Sequence, residues 1–162
     1  MAIKLKKRVA KQNYIELCTM RLKNPVTSLE FQNYYQLRWE VLRKPWDQAK
    51  GTEQDELETS CIHVMALNEV DECIGVGRLQ FNSTEEAQIR YMGVRNDQQG
   101  KGVGKELMTY LENKTSENNR TKIILQAREN AVPFYLSIGY SIKEKTFFLW
   151  NIIQHYKMEK VL

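Results

Sequence analysis

Residues 99–104 read Gln-Gly-Lys-Gly-Val-Gly, and Lys105 follows. Three glycines at alternate positions are costly to fold, because glycine gives up more backbone entropy than any other residue. The segment lies between an apolar run, "AQIRYMGV" (87–94), and a helical-looking one that begins near Gly102. A glycine-rich loop that feeds a helix N-terminus is an anion site. Its unpaired backbone N–H groups face outward, and the helix dipole favours negative charge. Lys101 and Lys105 add complementary charge, so a phosphate-bearing ligand is expected here.

Spacing narrows the ligand. The Walker A pattern G-x-x-x-x-G-K-[ST] fails, because Gln99 stands five positions before Gly104 and Glu106 follows Lys105. The dinucleotide pattern G-x-G-x-x-G fails at Lys105, and that loop ordinarily opens its fold, whereas this one follows several strands. What remains is Gln99-Gly100-Lys101-Gly102-Val103-Gly104, a match to [RQ]-x-x-G-x-[GA].

The rest of the chain reads as alternating strands and helices. "IELCTMRL" (15–22) is expected as a first strand, and Thr27 with Glu30 forms a capping-box signal. Phe31, Tyr34, Tyr35, Arg38, Val41 and Leu42 follow helical spacing, and Pro45 ends the run. "CIHVMAL" and "ECIGVGRLQF" are two strands joined by a turn at Asn68 to Asp71. After "AQIRYMGV" and the glycine loop comes a helix from about Gly102 to Lys114, with Val103, Leu107, Tyr110 and Leu111 on one face. "KIILQA" completes a βαβ crossover. A short helix at Val132 to Ser137, with Pro133 in its first turn and Gly139 after it, precedes "YSIKEKTF" and "HYKMEKV" as closing strands. The expected fold is α/β: a mixed, mostly antiparallel sheet of six to seven strands with a parallel pair in the middle and about four helices. Residues 1–162 are expected to form one domain, with 1–12 as a basic tail or edge strand.

Together, "MGVRNDQQGKGVG" and "LQARENAVPFYLSIGY" resemble two signatures of the GNAT superfamily of N-acetyltransferases, in the family's order and separation. Ala131, Phe134, Tyr135, Gly139 and Tyr140 match the second signature. "HYKMEK" is similar to the last strand of one bacterial branch, though Ile152-Ile153-Gln154 stands where Gly-Ile-Pro is common. The resemblance implies acetyl-coenzyme A as cosubstrate, no metal, and direct transfer of the acetyl group to a primary amine in a ternary complex. By position it places the pyrophosphate on Gln99, Gly100, Lys101, Gly102, Val103, Gly104 and Lys105, and the pantetheine arm along Met92, Gly93 and Val94. An N–H near Met92 then faces the developing oxyanion. Tyr135 is the implied acid for the departing thiolate, with Phe134 and Asn130 as further cofactor contacts. For Asn130 an N-cap role explains the residue almost as well.

The general base is less legible. The histone-acetylating branch has a glutamate where this chain has Gln88, and an amide cannot take a proton. Glu86, two residues away, projects from the same strand face and is the candidate base; Glu56 and His63 are further candidates, His63 reading first as a satisfied strand histidine. His155 has a family echo without an assigned role. The acidic stretch Glu53 to Glu58 reads first as a solvated loop, and second as an attractor for a cationic amine. "FFLWNII" (147–153) is unusually apolar for a connection. Core packing, a cover for the acceptor site and a homodimer contact are its three readings.

Composition sets the outer limits. The chain has no run of 18 apolar residues and no apolar segment behind its basic N-terminus, so membrane insertion and secretion are not expected, and the protein reads as cytoplasmic. Cys18, Cys61 and Cys73 have neither disulfide nor zinc spacing. The basic cluster Lys4, Lys6, Lys7, Arg8 and Lys11 lacks an aromatic platform, so nucleic acid is not the expected partner. A small-molecule or peptide amine is. The alternative reading is an acyl-coenzyme A sensor or regulatory module without turnover.

Overall fold

A computed structural model describes residues 20–162. The first strand is present there as β1 (Arg21–Lys23), with Met20 just before it; residues 15–19 of its expected range, Cys18 among them, and the basic cluster lie outside the described residues. Helix α1 (Ser28–Leu42) starts where the capping box predicts. The Glu30 amide donates to Thr27 Oγ1 at 3.2 Å, and the Thr27 amide donates to the Glu30 carboxylate at 3.0 Å. The helix ends before Pro45, which sits in a short 3-10 turn.

Strands β2 (Ile62–Leu67), β3 (Cys73–Phe81) and β4 (Glu86–Val94) form an antiparallel meander. Helix α2 (Val103–Glu117) crosses to β5 (Lys122–Arg128), which lies parallel to β4. Helix α3 (Val132–Ser137) leads into the hairpin of β6 (Ser141–Leu149) and β7 (Ile153–Val161). The sheet has seven strands in the order β1-β2-β3-β4-β5-β7-β6, with β4 and β5 as its parallel pair. Three α-helices and several 3-10 turns accompany it among the described residues, rather than about four helices. The three are the segments read as helical from the sequence, and no fourth follows Leu42, where Pro45 and the loop after it keep the chain irregular.

Alternation assigns the two sheet faces. One carries Ile89, Leu125 and Ala127 against Leu107, Leu111 and Tyr135 of α2 and α3 in the main apolar core. The other carries Met65 and Val76 against Tyr34 and Leu37 of α1. Beyond α1 this second face turns polar, with Arg78, Gln88, Arg90, Gln126 and Arg128 on neighbouring strands.

"FFLWNII" is mostly strand, not connection. β6 runs to Leu149 and β7 starts at Ile153, so Trp150, Asn151 and Ile152 make the connection, with Trp150 and Asn151 at its tip. Both have positive φ, 50° and 54°, and the Ile152 amide donates to the Leu149 carbonyl at 3.0 Å. The left-handed backbone at two successive residues reverses the chain within that short connection.

Candidate active site

The glycine loop leaves β4 through a 3-10 turn at Asn96–Gln98. The Gln99 side chain ties it back, donating to the Val94 carbonyl at 3.1 Å and to Asn96 Oδ1 at 3.3 Å. Gly100 and Gly102 have φ of +75° and +88°, the left-handed region that strains other residues. A Cβ on either would meet nothing within 4 Å, so this face of the backbone is open. Gly104 serves a different need: a Cβ there would lie 3.3 Å from the Phe134 ring. Gly102 is the N-cap of α2 and no side chain caps that end, so the first-turn amides are free to meet an anion.

Beside the loop the central parallel pair comes apart. The β4–β5 ladder runs from Glu86–Lys122 to Ile89–Leu125 and stops. β4 continues on β3 to Val94, and β5 continues on β7 to Arg128. Between them opens a cleft of about 950 Å³. The divergence follows from a bulge: Val76 faces Gly93 and Arg78 faces Arg90, so Tyr91 and Met92 together oppose Gly77. Tyr91 sits at φ +54°, an outlier for an aromatic residue.

The acidic stretch holds Tyr91 in place. Arg38 and Arg78 are fully buried. Glu58 binds Arg38 at 2.5 and 3.0 Å, Asp55 binds Arg78 in a fork at 2.6 and 2.9 Å, and Glu58 also reaches Arg78 at 2.6 Å. The Arg38 guanidinium lies 3.5 Å from the centre of the Tyr91 ring, whose hydroxyl donates to Asp55 at 3.2 Å. Arg78 and nearby hydrogen bonds hold the Asp55 carboxyl far below its usual range; Arg38 and Arg78 lower that of Glu58 against the opposing effect of burial. The solvated-loop reading of Asp55 and Glu58 is therefore corrected: two buried arginines need counter-ions, and these carboxylates supply them.

The cleft collects most of the residues singled out in the sequence. Met92, Gly93, Val94, Gln99, Gly100, Gly102, Gly104, Lys105, Asn130, Phe134 and Tyr135 all line it. Lys101 lies outside it and is exposed, while Val103 is buried in the core. Burial pushes the Tyr135 phenol up to about 12, so it stays protonated at neutral pH. Asn130 is not an N-cap: Ala131 holds that position in α3 without a side-chain bond. Glu86 projects on the Gln88 side of β4 as alternation requires, but it does not line the cleft. Lys122 takes its carboxylate at 2.9 Å, and Asn82 donates to it at 3.0 Å. His63 also lies outside the cleft; its Nε2 donates to the Glu58 carbonyl at 2.7 Å.

Known proteins supply an independent comparison. The family model for the acetyltransferase (GNAT) domain matches residues 40–162. The chain belongs to the GNAT acetyltransferase family. An uncharacterised N-acetyltransferase of Bacillus subtilis (strain 168), YjcF, is 28% identical over 131 residues, covering 81% of this chain and 92% of that one. A GNAT family acetyltransferase from Elizabethkingia anophelis, solved with acetyl-CoA bound, superposes with a TM-score of 0.73 at 18% identity, covering 88% of this chain and 98% of that one. An aminoglycoside 6'-N-acetyltransferase complexed with coenzyme A gives 0.71 at 16% identity, over 87% and 96% of the two chains. At those identities the two structures show a shared fold.

This GNAT acetyltransferase also lines its cleft with residues the sequence reading did not select. Arg43, Arg90, Gln126 and Arg128 are among them, while Phe147 and Leu149 come from the apolar segment 147–153, one of whose three readings is a cover for the acceptor site. Alternation along β5 puts Gln126 and Arg128 on one face, a signal available in advance. The approach of Arg43 depends on where α1 ends, which no short-range pattern reveals. His155 completes the wall, directly opposite Arg128 in the β5–β7 register and stacked on Phe147 with ring centres 4.5 Å apart. Its Nδ1 lies 3.1 Å from the Ile153 carbonyl. A carbonyl only accepts, so Nδ1 carries the proton and Nε2 is left as an acceptor. Burial above all, with Arg128 and Arg43 nearby, lowers its pKa from the usual histidine range and so favours the neutral ring.

Proposed function

We propose that this protein transfers the acetyl group of acetyl-CoA to a primary amine by direct attack, with both substrates in the cleft between β4 and β5. The observation that carries this reading is the continuity of one cleft from the bare glycine loop to Tyr135 and His155. Acetyl-CoA supplies the acetyl group as a thioester. The open amides at Gly100 and Gly102, the uncapped first turn of α2 and Lys105 fit its pyrophosphate. Met92, Gly93 and Val94, on the stretch of β4 that has left β5, fit the pantetheine arm, and Asn130 and Phe134 flank it.

An alkyl ammonium has a pKa near about 10 and must lose a proton before it attacks. Among the described residues that line the cleft there is no carboxylate, and His155 is the one side chain there whose ordinary pKa lies near neutrality. We assign the proton-accepting role to His155 Nε2, with Tyr135 as hydrogen-bond donor to the departing sulfur. Replacing His155 with Gln is expected to lower kcat/KM at pH 7 by about tenfold, a modest loss because the open cleft lets water substitute. The deficit should shrink as the pH rises towards the pKa of the amine, where no base is needed. A pH-independent deficit would reduce His155 to a packing partner of Phe147.

The lack of a lining carboxylate also favours a second reading, an acyl-CoA-binding module that does not turn over. One experiment separates them: thiol release from acetyl-CoA measured across a panel of primary amines. Transfer predicts amine-dependent thiol, whereas the module predicts thermal stabilisation by acetyl-CoA with no thiol above the amine-free rate.

A further inference from the structure

The charge of the cleft wall is one-sided. Lys105 lies beside the glycine loop, Arg43, Arg90 and Arg128 line the cleft as well, and no aspartate or glutamate does among the described residues. Arg90 has a counter-ion, Asp55 at 3.4 Å. Arg43 and Arg128 have none: among the described residues no carboxylate oxygen comes within 4.0 Å of either. Instead both turn to the same neutral acceptor. Arg43 Nη1 donates to the Leu42 carbonyl at 3.1 Å, and Arg128 Nη2 donates to it at 2.9 Å. Two half-buried cations are thereby held together at a carbonyl that stands 86 residues from Arg128 in the chain.

Such a pair is unfavourable without an anion. Burial lowers the pKa of both guanidiniums, and the charge of Arg43 lowers that of Arg128 further. Glu53 attracts Arg43 only from beyond ion-pair distance, and its carboxylate is already bound by the Gly51 amide and the Gln54 side chain. Capping the last carbonyl of α1 accounts for one guanidinium. It does not account for two, nor for their place on the wall of the cleft.

The pair also keeps donors in reserve. A guanidinium has five N–H groups; Arg43 spends two of them, on Leu42 and on the Thr52 carbonyl, and Arg128 spends one. Trp150 and Trp46 lie against the two groups, with ring centres 5.4 Å from Arg43 and 5.9 Å from Arg128. Planar donors with unspent N–H groups suit an oxyanion, which they bind through two oxygens at once.

We infer that the acceptor is an amine that also carries an oxyanion, a carboxylate or a phosphate, which docks on Arg43 and Arg128 while its nitrogen faces His155 and Tyr135. The inference rests on the transfer reading above and specifies the class of its acceptor. It places diamines and aminoglycoside-like polycations among the poor acceptors of this site.

The test is thiol release from acetyl-CoA with 4-aminobutyrate, O-phosphoethanolamine, ethanolamine and cadaverine. At least one of the two oxyanion amines is expected to exceed both ethanolamine and cadaverine in kcat/KM by about tenfold or more. The better of the two identifies the oxyanion. Arg128→Gln should erase that preference, Arg128→Lys should keep part of it, and both should retain the wild-type Kd for acetyl-CoA in calorimetry. Equal or better turnover of cadaverine or ethanolamine would overturn the inference, as would a preference that survives Arg128→Gln. If acetyl-CoA binds and no amine releases thiol, the transfer reading fails by itself. The acceptor inference is then decided by thermal stabilisation of the acetyl-CoA-loaded protein by the same oxyanion amines. Stabilisation that Arg128→Gln abolishes supports it, and no stabilisation overturns it.

Discussion

Replacing Gly102 with Glu is expected to weaken acetyl-CoA binding by about three orders of magnitude, some 4 kcal/mol. Two effects are distinct: backbone strain bears on stability, and charge bears on binding. The φ of +88° at this position costs a side-chain-bearing residue about 1–2 kcal/mol. The larger effect is electrostatic, since a carboxylate at the N-cap of α2 occupies the positive end of the helix, where the pyrophosphate is proposed to sit. At an effective dielectric constant of about 20, two unit charges about 4 Å apart repel by roughly 4 kcal/mol. The fold itself should survive, because nothing lies within 4 Å of the added Cβ and an acidic group suits a helix N-terminus.

Gly102→Ala separates the two effects. It carries the backbone penalty without the charge, so it should lower the melting temperature slightly and keep most of the affinity. Calorimetric titration with acetyl-CoA, beside a thermal melt of each variant, checks both expectations. Wild-type affinity in Gly102→Glu would remove the pyrophosphate from this loop.

Short-range chemistry made much of the fold legible. The capping box at Thr27 and Glu30, the turn at Asn68 to Asp71 and the helix after Gly102 all follow from neighbouring residues, and they appear as read. The glycine loop belongs to the same class, since its need for positive φ and open backbone is local.

What escaped the sequence depends on distant partners. Helical spacing puts Arg38 on the stripe of Tyr34 and Leu42, but what lets a guanidinium be fully buried there is distant: Glu58, 20 residues on, and the Tyr91 ring receive it. The left-handed backbone of Tyr91 has no local signature, because an aromatic residue is a poor candidate for positive φ. It is sustained by Asp55, 36 residues away. Glu86 shows the same limit from the other side. Alternation placed it correctly on the Gln88 face, but its engagement by Lys122 follows from the parallel register of β4 and β5. Charges within the acidic stretch were visible; that they neutralise buried arginines was not.

Tyr135→Phe is expected to lower kcat by about 100-fold with little change in acetyl-CoA affinity. The phenol is nearly buried and its pKa is pushed up to about 12, so it is a weaker acid than free tyrosine. Towards a solvated thiolate of pKa about 8.5–10 it would not give up its proton. Its contribution is then a hydrogen bond that strengthens as negative charge collects on sulfur, with full transfer once the same dry surroundings raise the basicity of the thiolate. Removal of one donor of this kind typically costs about 100-fold or more. Phe keeps the ring contacts with Phe134 and Tyr140, so the loss should appear in turnover rather than in binding or stability. Single-turnover measurements isolate the chemical step from product release, and unchanged rates there would make Tyr135 a packing residue. The direction of the pH effect adds a second check. A group titrating near 12 stays protonated across the working range, so the ratio of wild-type to Tyr135→Phe rates should be flat from about pH 6 to 9. A ratio that rose with pH within that window would mean that the phenolate is the active form, and a base role would replace the donor role.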